Sequence, residues 1–446
     1  MVCWRLPWND AALAKGQLTV RVLFVSRTLP NPNGSGVERR AAQHLATLRR
    51  FGAVTLVIVQ QWKMPAPMPQ SDLAALGIER LIIRSIRDEP TRYEYYLKRW
   101  QDSKNRLLRV WYRLWVTHEC DLRAFARDAE RRRREIGADY DLLFAFRMPS
   151  AIWIDSVLSP TDRPPVRIVD FDDIESVAYR RLEQMRPGRR PARVLLNWYI
   201  ARWLTRRERE LARRWTHVVV CSDHDRHVLR RRLGVTPLVV PNSVRFPARA
   251  AQAPPGRIEL LFVGQLTYPP NVQGISWLIH QVWPALRDAL GEAARVTIAG
   301  MDPCQDVLDL AAVPGVEVLA SVPDLAPLYE RATISVAPIF AGGGTRIKLI
   351  EAMARTRAIV TTRVGCEGLP VTSGRELLIA DTPQAFAAAV LELARDPEKR
   401  RMLAENGWDF GRTRYSDEVV VEAFASGIGE ILGAHAARTT TRSDLR

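Results

Sequence analysis

Cysteine is scarce in this 446-residue chain: Cys3, Cys120, Cys221, Cys304 and Cys366 are scattered and odd in number. No CxxC pair or Cys/His metal spacing joins them, which argues against a disulfide framework or a zinc module and points to a reducing, cytoplasmic compartment. Long apolar runs are also lacking. None approaches the eighteen residues of a spanning helix, and the opening MVCWRLPWNDAALAKG has no signal-peptide core. Helix-turn-helix, zinc-finger and RNP signatures are missing too, so the net charge of +16 is not read as nucleic-acid binding. What remains is 47% hydrophobic and 26% charged, a globular composition, in a chain long enough for two cores.

The positive excess is concentrated in residues 84–134 and 180–232, where tryptophan and leucine interleave with arginine: YLKRWQDSKNRLLRVWYRLW, then LLNWYIARWLTRRERELARRW. Helices of this composition can lie on an anionic membrane, with the apolar side inserted and arginines among the head groups. They can equally pack on their own domain with the arginines in solvent. Both readings stand at this point, the first implying a peripheral position on the inner face of the plasma membrane.

Buried-strand patterns alternate with helical ones through two similar halves. LTVRVLFVS, a turn-rich Gly34-Ser35-Gly36 loop, an amphipathic helix and VTLVIV open the first half. YDLLFAF, VRIVDFDD, THVVVCS and PLVVPNSV continue it. The segment RFPARAAQAPPGR, residues 245–257, has linker composition, and the pattern then restarts with IELLFVGQL, a helix over 272–290 and VTIAG. The expected organisation is α/β: two Rossmann-like, doubly wound domains at 18–247 and 255–410 facing each other across a cleft. A helix over 411–434 packs back toward the first domain.

Residues 337–369, APIFAGGGTRIKLIEAMARTRAIVTTRVGCEGL, organise the second half. A strand ends at Pro338, Gly342, Gly343 and Gly344 follow, Thr345 can cap a helix, and a strand over 358–362 returns. The helix N-terminus then faces the carboxyl edge of the sheet, where free N–H groups and the dipole attract anions. Arg346 and Lys348 on the first turn would oppose that dipole, at a cost of about 0.3–1 kcal/mol each, unless an anion is bound. The pattern therefore points to a phosphorylated ligand. Glu351 either pairs with Lys348 or Arg355 at helical spacing or lines the site.

These residues resemble a known group. VGQLTYPPN, VTIAG, ASVPDLAPLYERATISVAPIFAGGGTRIKLIEAMA and GCEGL, in that order over about 258–408, look like the C-terminal domain of retaining family 4 glycosyltransferases, GGGTR-type branch, which includes bacterial exopolysaccharide sugar transferases. VLFVSRTLPNPNGSGVER, IVDFDDIES, VVVCSDHD and VVPNSV fit the first half more loosely. The resemblance implies a GT-B fold, a nucleotide-diphosphate sugar on the C-terminal domain, a glycan or lipid-linked acceptor on the N-terminal one, retention of configuration and no obligatory metal or cofactor. It implies a ribose contact for Glu351 and a sugar–diphosphate loop at Gly342, Gly343, Gly344 and Thr345. Gly264, Gln265 and Gly300 would lie on the donor side, Val322 and Leu325 beside the base, and Gly34, Ser35 and Gly36 on the acceptor side.

The chain departs from that pattern in three places. Gly343 stands where the family's sugar-facing glutamate is expected, eight positions before Glu351. Gln265 and the YPPN loop replace the Arg and Lys that often follow the first C-domain strand, so Arg346 and Lys348 are expected to neutralise the diphosphate. Thr356 replaces the helix-ending glycine. Without paired carboxylates, a front-face transfer is preferred in which the leaving phosphate takes the acceptor proton. Asp172 and Arg147, at strand ends, would orient the acceptor. Asp170-Phe171-Asp172 imitates a metal-binding DxD, but Asp172 or Asp173 can simply cap a helix. His217, His224 and His227 cluster in sequence without metal spacing. A sugar-nucleotide epimerase and a degenerate nucleotide-binding protein are the alternatives.

Overall fold

A computed structural model describes residues 20–60, 76–85, 129–184, 191–250, 257–322 and 324–443. The chain divides into two units: Met1–Ser176, Pro187–Val240 and Val421–Arg446 form the first, and Val177–Arg186 with Pro241–Val420 the second.

The first unit holds seven parallel strands: β1 (Val22–Ser26), β2 (Val54–Gln60), β3 (Ile78–Ser85), β4 (Leu142–Phe146), β5 (Val166–Asp170), β6 (His217–Val220) and β7 (Leu238–Val239). Their order is β3-β2-β1-β4-β5-β6-β7. β1 and β4 read VLFVS and LLFAF with every residue buried, the continuous apolar run of a sheet covered on both faces. Val22 pairs with Val54 on one side and Leu142 on the other, so the direction of winding reverses between β1 and β4. Ligands of open parallel sheets bind beyond the carboxyl ends of such a strand pair.

The second unit repeats the plan with β8 (Ile258–Val263), β9 (Ala294–Gly300), β10 (Val316–Ala320), β11 (Ile334–Ala337), β12 (Ala358–Thr361) and β13 (Leu378–Ile379), in the order β10-β9-β8-β11-β12-β13 and parallel throughout. Its reversal lies between β8 and β11, paired at Ile334 and Leu260. The loops after these two strands carry Gly264 and the glycine triplet.

Two helical expectations change. The helix over 272–290 is three pieces: an α-helix Pro269–Trp277, a π-turn Leu278–Val282 and an α-helix Trp283–Leu290. Pro284 has no N–H to return to the preceding turn, and the Trp283 N–H reaches back to the Leu278 carbonyl, opening the helix locally. The C-terminal helix runs Asp417–Ser443 rather than 411–434, because the helix Pro397–Tyr415 stops at extended Ser416. Its segment Asp417–Arg438, with mean hydropathy 1.3, is long and apolar enough to cross a membrane, contrary to the expectation that no run would be. Valine, isoleucine and alanine raise the average. Val420, Val421, Phe424 and Ile428 are buried, and Phe424 meets the His44 and Phe144 rings at 5.4 and 5.9 Å.

Candidate functional site

The glycine loop follows β11 directly. Gly342 and Gly344 take φ of +124° and +66°, which a side chain would strain. Among the described residues, the N–H groups of Gly343 and Gly344 have no hydrogen-bond partner. The helix Ile347–Ala354 begins one residue later than expected, with Arg346 and not Thr345 at its N-cap. The Thr345 side chain is diverted: Asn242 Nδ2 donates to its Oγ1 at 3.0 Å.

Lys348, in the first turn of that helix, reaches back over the end of β8. Its Nζ donates to Asn271 Oδ1 at 2.7 Å and lies 4.2 Å from the centroid of the Phe262 ring. A Cβ on Gly264 would come within 2.9 Å of it, so glycine there leaves room for the ammonium group. Lys348 thus brings its ammonium group from a helix to the loop that follows the first strand of this unit. Burial, reinforced by Arg346 and opposed by Glu351, pushes its pKa down to about 7. Its contacts are the Asn271 side-chain amide and the Phe262 ring, with Glu351 as the opposing charge on the same helix.

Arg346 is placed differently from the sequence expectation. Its Nη1 folds back onto the carbonyls of Gly343 and Gly344, the latter at 2.7 Å, and so staples the loop. Its Nη2 is buried without a partner. Arg181 holds the same loop: its Nη1 donates to the Gly342 carbonyl at 3.0 Å, and its guanidinium pairs with Glu367 through Nη1 and, at 2.9 Å, Nη2. Arg181, Glu367 and Asn271 were not singled out in the sequence. Only the position of Asn271 in the YPPN segment and of Glu367 in GCEGL gave a hint.

The other residues expected on the donor side are less concentrated. The Gln265 carbonyl accepts from Asn271 Nδ2 at 2.8 Å, and the Gly300 carbonyl accepts from the Ser321 N–H at 2.8 Å. Val322 and Leu325 follow β10, the edge strand, and pack against the core of the unit. Glu351 is half-buried on the helix one turn beyond Lys348.

In the first unit, Ser35 caps the helix Gly36–Leu48, and its N–H donates to Glu38 Oε2 at 2.6 Å. That ties the Gly34–Ser35–Gly36 loop to its own helix. Asp170 is fully buried and spent on structure. It accepts from Arg40 Nε (2.7 Å) and Nη2 (3.0 Å), from His44 Nε2 (2.5 Å) and from the Asp172 N–H (2.8 Å). Burial would raise its pKa, but Arg40 and His44 hold it well below the usual carboxylate range. The DxD pattern therefore supplies one buried anchor and one mostly buried acid between two arginines rather than two free ligands. His217 begins β6, whereas His224 and His227 lie on the helix Asp223–Leu233 beyond its other end.

Asp172 and Arg147 are brought together. Arg147 Nε lies 3.7 Å from Asp172 Oδ2, and Arg40 Nε is 3.4 Å from Asp172 Oδ1. Both have positive φ, +69° for Arg147 and +58° for Asp172, a strain usually kept where side-chain direction matters. Burial and the nearby Asp173 push the Asp172 pKa up to about 7 against the pull of Arg40 and Arg147. Glu175 is likewise raised by burial beside Arg147 and Arg27. This cluster lies past β4 and β5, one of which flanks the reversal of the sheet.

Residues 257–396 match the Glycosyl transferases group 1 family. An uncharacterized 44.6 kDa protein in the cps region of Klebsiella pneumoniae is 26% identical over 169 residues, covering 36% of this chain and 43% of that protein, less than half its length. Among solved structures, a sucrose-phosphate synthase from Thermosynechococcus elongatus aligns with TM-score 0.66 at 15% identity, over 93% of this chain and 100% of its own. HepE from Anabaena in complex with UDP-glucose aligns with TM-score 0.61 at 14% identity, over 92% and 99%. TarM from S. aureus, in complex with Fondaparinux, alpha-GlcNAc-glycerol and UDP, gives 0.58 at 10%, over 91% and 99%. The fold is GT-B.

Proposed function

We propose that the protein is a hexosyl transferase that moves a sugar, with retention, from a nucleotide-diphosphate donor to a glycan or lipid-linked acceptor in cell-surface polysaccharide synthesis. The observation that carries the reading is Lys348, a desolvated cation beside a glycine loop with free N–H groups at the reversal point of the second sheet. As the glycosidic bond breaks, negative charge grows on the β-phosphate, and a protonated Lys348 with the loop amides stabilises it there more than in the ground state. The unpartnered Arg346 Nη2 offers a further donor.

On the first unit, Asp172 and Arg147 orient the acceptor hydroxyl, and the leaving phosphate accepts its proton. Metal independence is part of the proposal, supported by the commitment of Asp170 to Arg40 and His44. The match over 257–396 supports the group 1 reaction class, and the cps-region relative supports polysaccharide synthesis. HepE, solved with UDP-glucose, and TarM, solved with UDP, make UDP the first nucleotide to try.

Release of nucleoside diphosphate from UDP- and GDP-hexoses, with and without glycan or lipid-linked acceptors and with EDTA, tests the whole reading. The expected result is acceptor-dependent release that survives chelation. Epimerised donor without acceptor, or binding without turnover across the panel, would contradict it.

A further inference from the structure

The second unit has a groove of about 580 Å³ distinct from the glycine loop, between the helix Pro269–Trp277, its π-turn continuation and the segment around Cys304 and Asp306. That volume is within the range of about 300–1,000 Å³ usual for small-molecule sites. Its chemistry differs from that of the rest of the molecule. In a chain with net charge +16, no Lys or Arg lines it among the described residues, and Asp306 is its one carboxylate. Phosphates and nucleotides therefore have no counter-charge there.

Trp277 lies in the wall, and its indole is fixed by T-shaped contacts with Phe340 at 5.0 Å and Phe386 at 5.4 Å. Around it stand Gln273, Ser276, His280, Gln281 and Asp306, side chains that together offer both donors and acceptors. The π-turn presents His280 and Gln281 to this groove on the same side as Gln273 and Trp277. An aromatic side chain bordered by amides, hydroxyls, an imidazole and one carboxylate suits an uncharged ligand with C–H faces and many hydroxyl groups.

We infer that this groove is a second saccharide-binding site, taking a neutral oligosaccharide segment independently of the nucleotide. It does not depend on the transferase reading, and it would hold a glycan on the same unit as the donor loop without touching the reacting atoms.

The test is calorimetric titration of the full chain with maltohexaose, cellohexaose and isomaltohexaose, with a heparin hexasaccharide as the anionic control, each with and without saturating UDP. At least one neutral hexasaccharide is expected to bind equally well with UDP present. The Gln273→Ala/Gln281→Ala double variant should weaken it at least tenfold, whereas Lys348→Met should leave it unchanged. Absence of neutral binding across the panel, binding by the heparin fragment alone, or loss of binding with UDP or in Lys348→Met would overturn the inference. UDP binding absent while the oligosaccharide still binds would instead count against the donor reading alone.

Discussion

At Lys348 two demands conflict. A cation near a helix N-terminus and out of water is doubly unfavourable, and the pKa of about 7 records it. Because the folded pKa lies below the unfolded value of 10.5, the unfolded chain binds more protons between those limits, so this group makes stability rise with pH from about 7 to about 10.5. A bound diphosphate reverses the preference by favouring the protonated form. UDP binding at pH 8 should therefore take up a proton, seen as buffer-dependent calorimetric heats, and affinity should fall roughly tenfold per unit at higher pH. Lys348→Met should lose the linkage. Asp172 gives the opposite profile: the carboxylate is the useful form, so kcat/KM should rise as pH increases through about 7. Asp172→Asn should lower kcat by about 10²-fold, the scale of a lost positioning contact, while UDP affinity stays unchanged. Asp170→Asn is a stability change instead. It removes the nearer of the two carboxylates paired with the fully buried Arg40, leaving only Asp172, and should cost about 3 kcal/mol in denaturant unfolding.

Among the elements, the glycine loop is held from two sides, by Arg346 on its own helix and by Arg181 on the helix Glu175–Gln184. Arg181→Ala should raise the donor KM roughly tenfold, about 1.4 kcal/mol, and speed amide exchange at 342–345. Lys at 181 should rescue little, since it cannot pair with Glu367 through two nitrogens. The strands were readable because parallel, doubly covered strands leave unbroken apolar runs: LLFAF and IELLFV fall where the pattern put them. The loop glycines before a helix were equally plain. What could not be read was long-range: that Arg346 would turn back on the loop, that Asn242 would take Thr345 from its capping role, or that Arg40 and His44 would bury Asp170. Each depends on partners 100 or more residues away or on a rotamer, neither of which has a local signature. The π-turn was local, and Pro284 was its signal.

For the whole molecule, the charge pattern and the GT-B fold bear on where the proposed reaction would take place. Of the two basic, Trp-rich stretches, residues 86–128 of the first lie outside the described residues. The second forms the helix Pro191–Arg214, on which Val194, Leu195 and Trp198 are 49%, 67% and 58% exposed, with the Arg202 guanidinium 5.5 Å from the Trp198 ring. Apolar side chains exposed among arginines favour the membrane-surface reading as a proposal. Co-sedimentation with phosphatidylglycerol vesicles should be strong at low salt and weak at high salt, and Leu195→Ser/Trp198→Ser should reduce it several-fold. No binding at low salt would dismiss a membrane-bound acceptor. On the proposed function, a nucleoside diphosphate docks where the glycine loop meets Lys348. Calorimetric titration of UDP, GDP and ADP into the wild type and Lys348→Met at pH 7 tests it most directly. At least one nucleotide should bind the wild type and bind the variant about 10–100-fold more weakly, with the variant's unfolding midpoint unchanged or higher; equal affinity in the two proteins, or no binding to either, would contradict the claim.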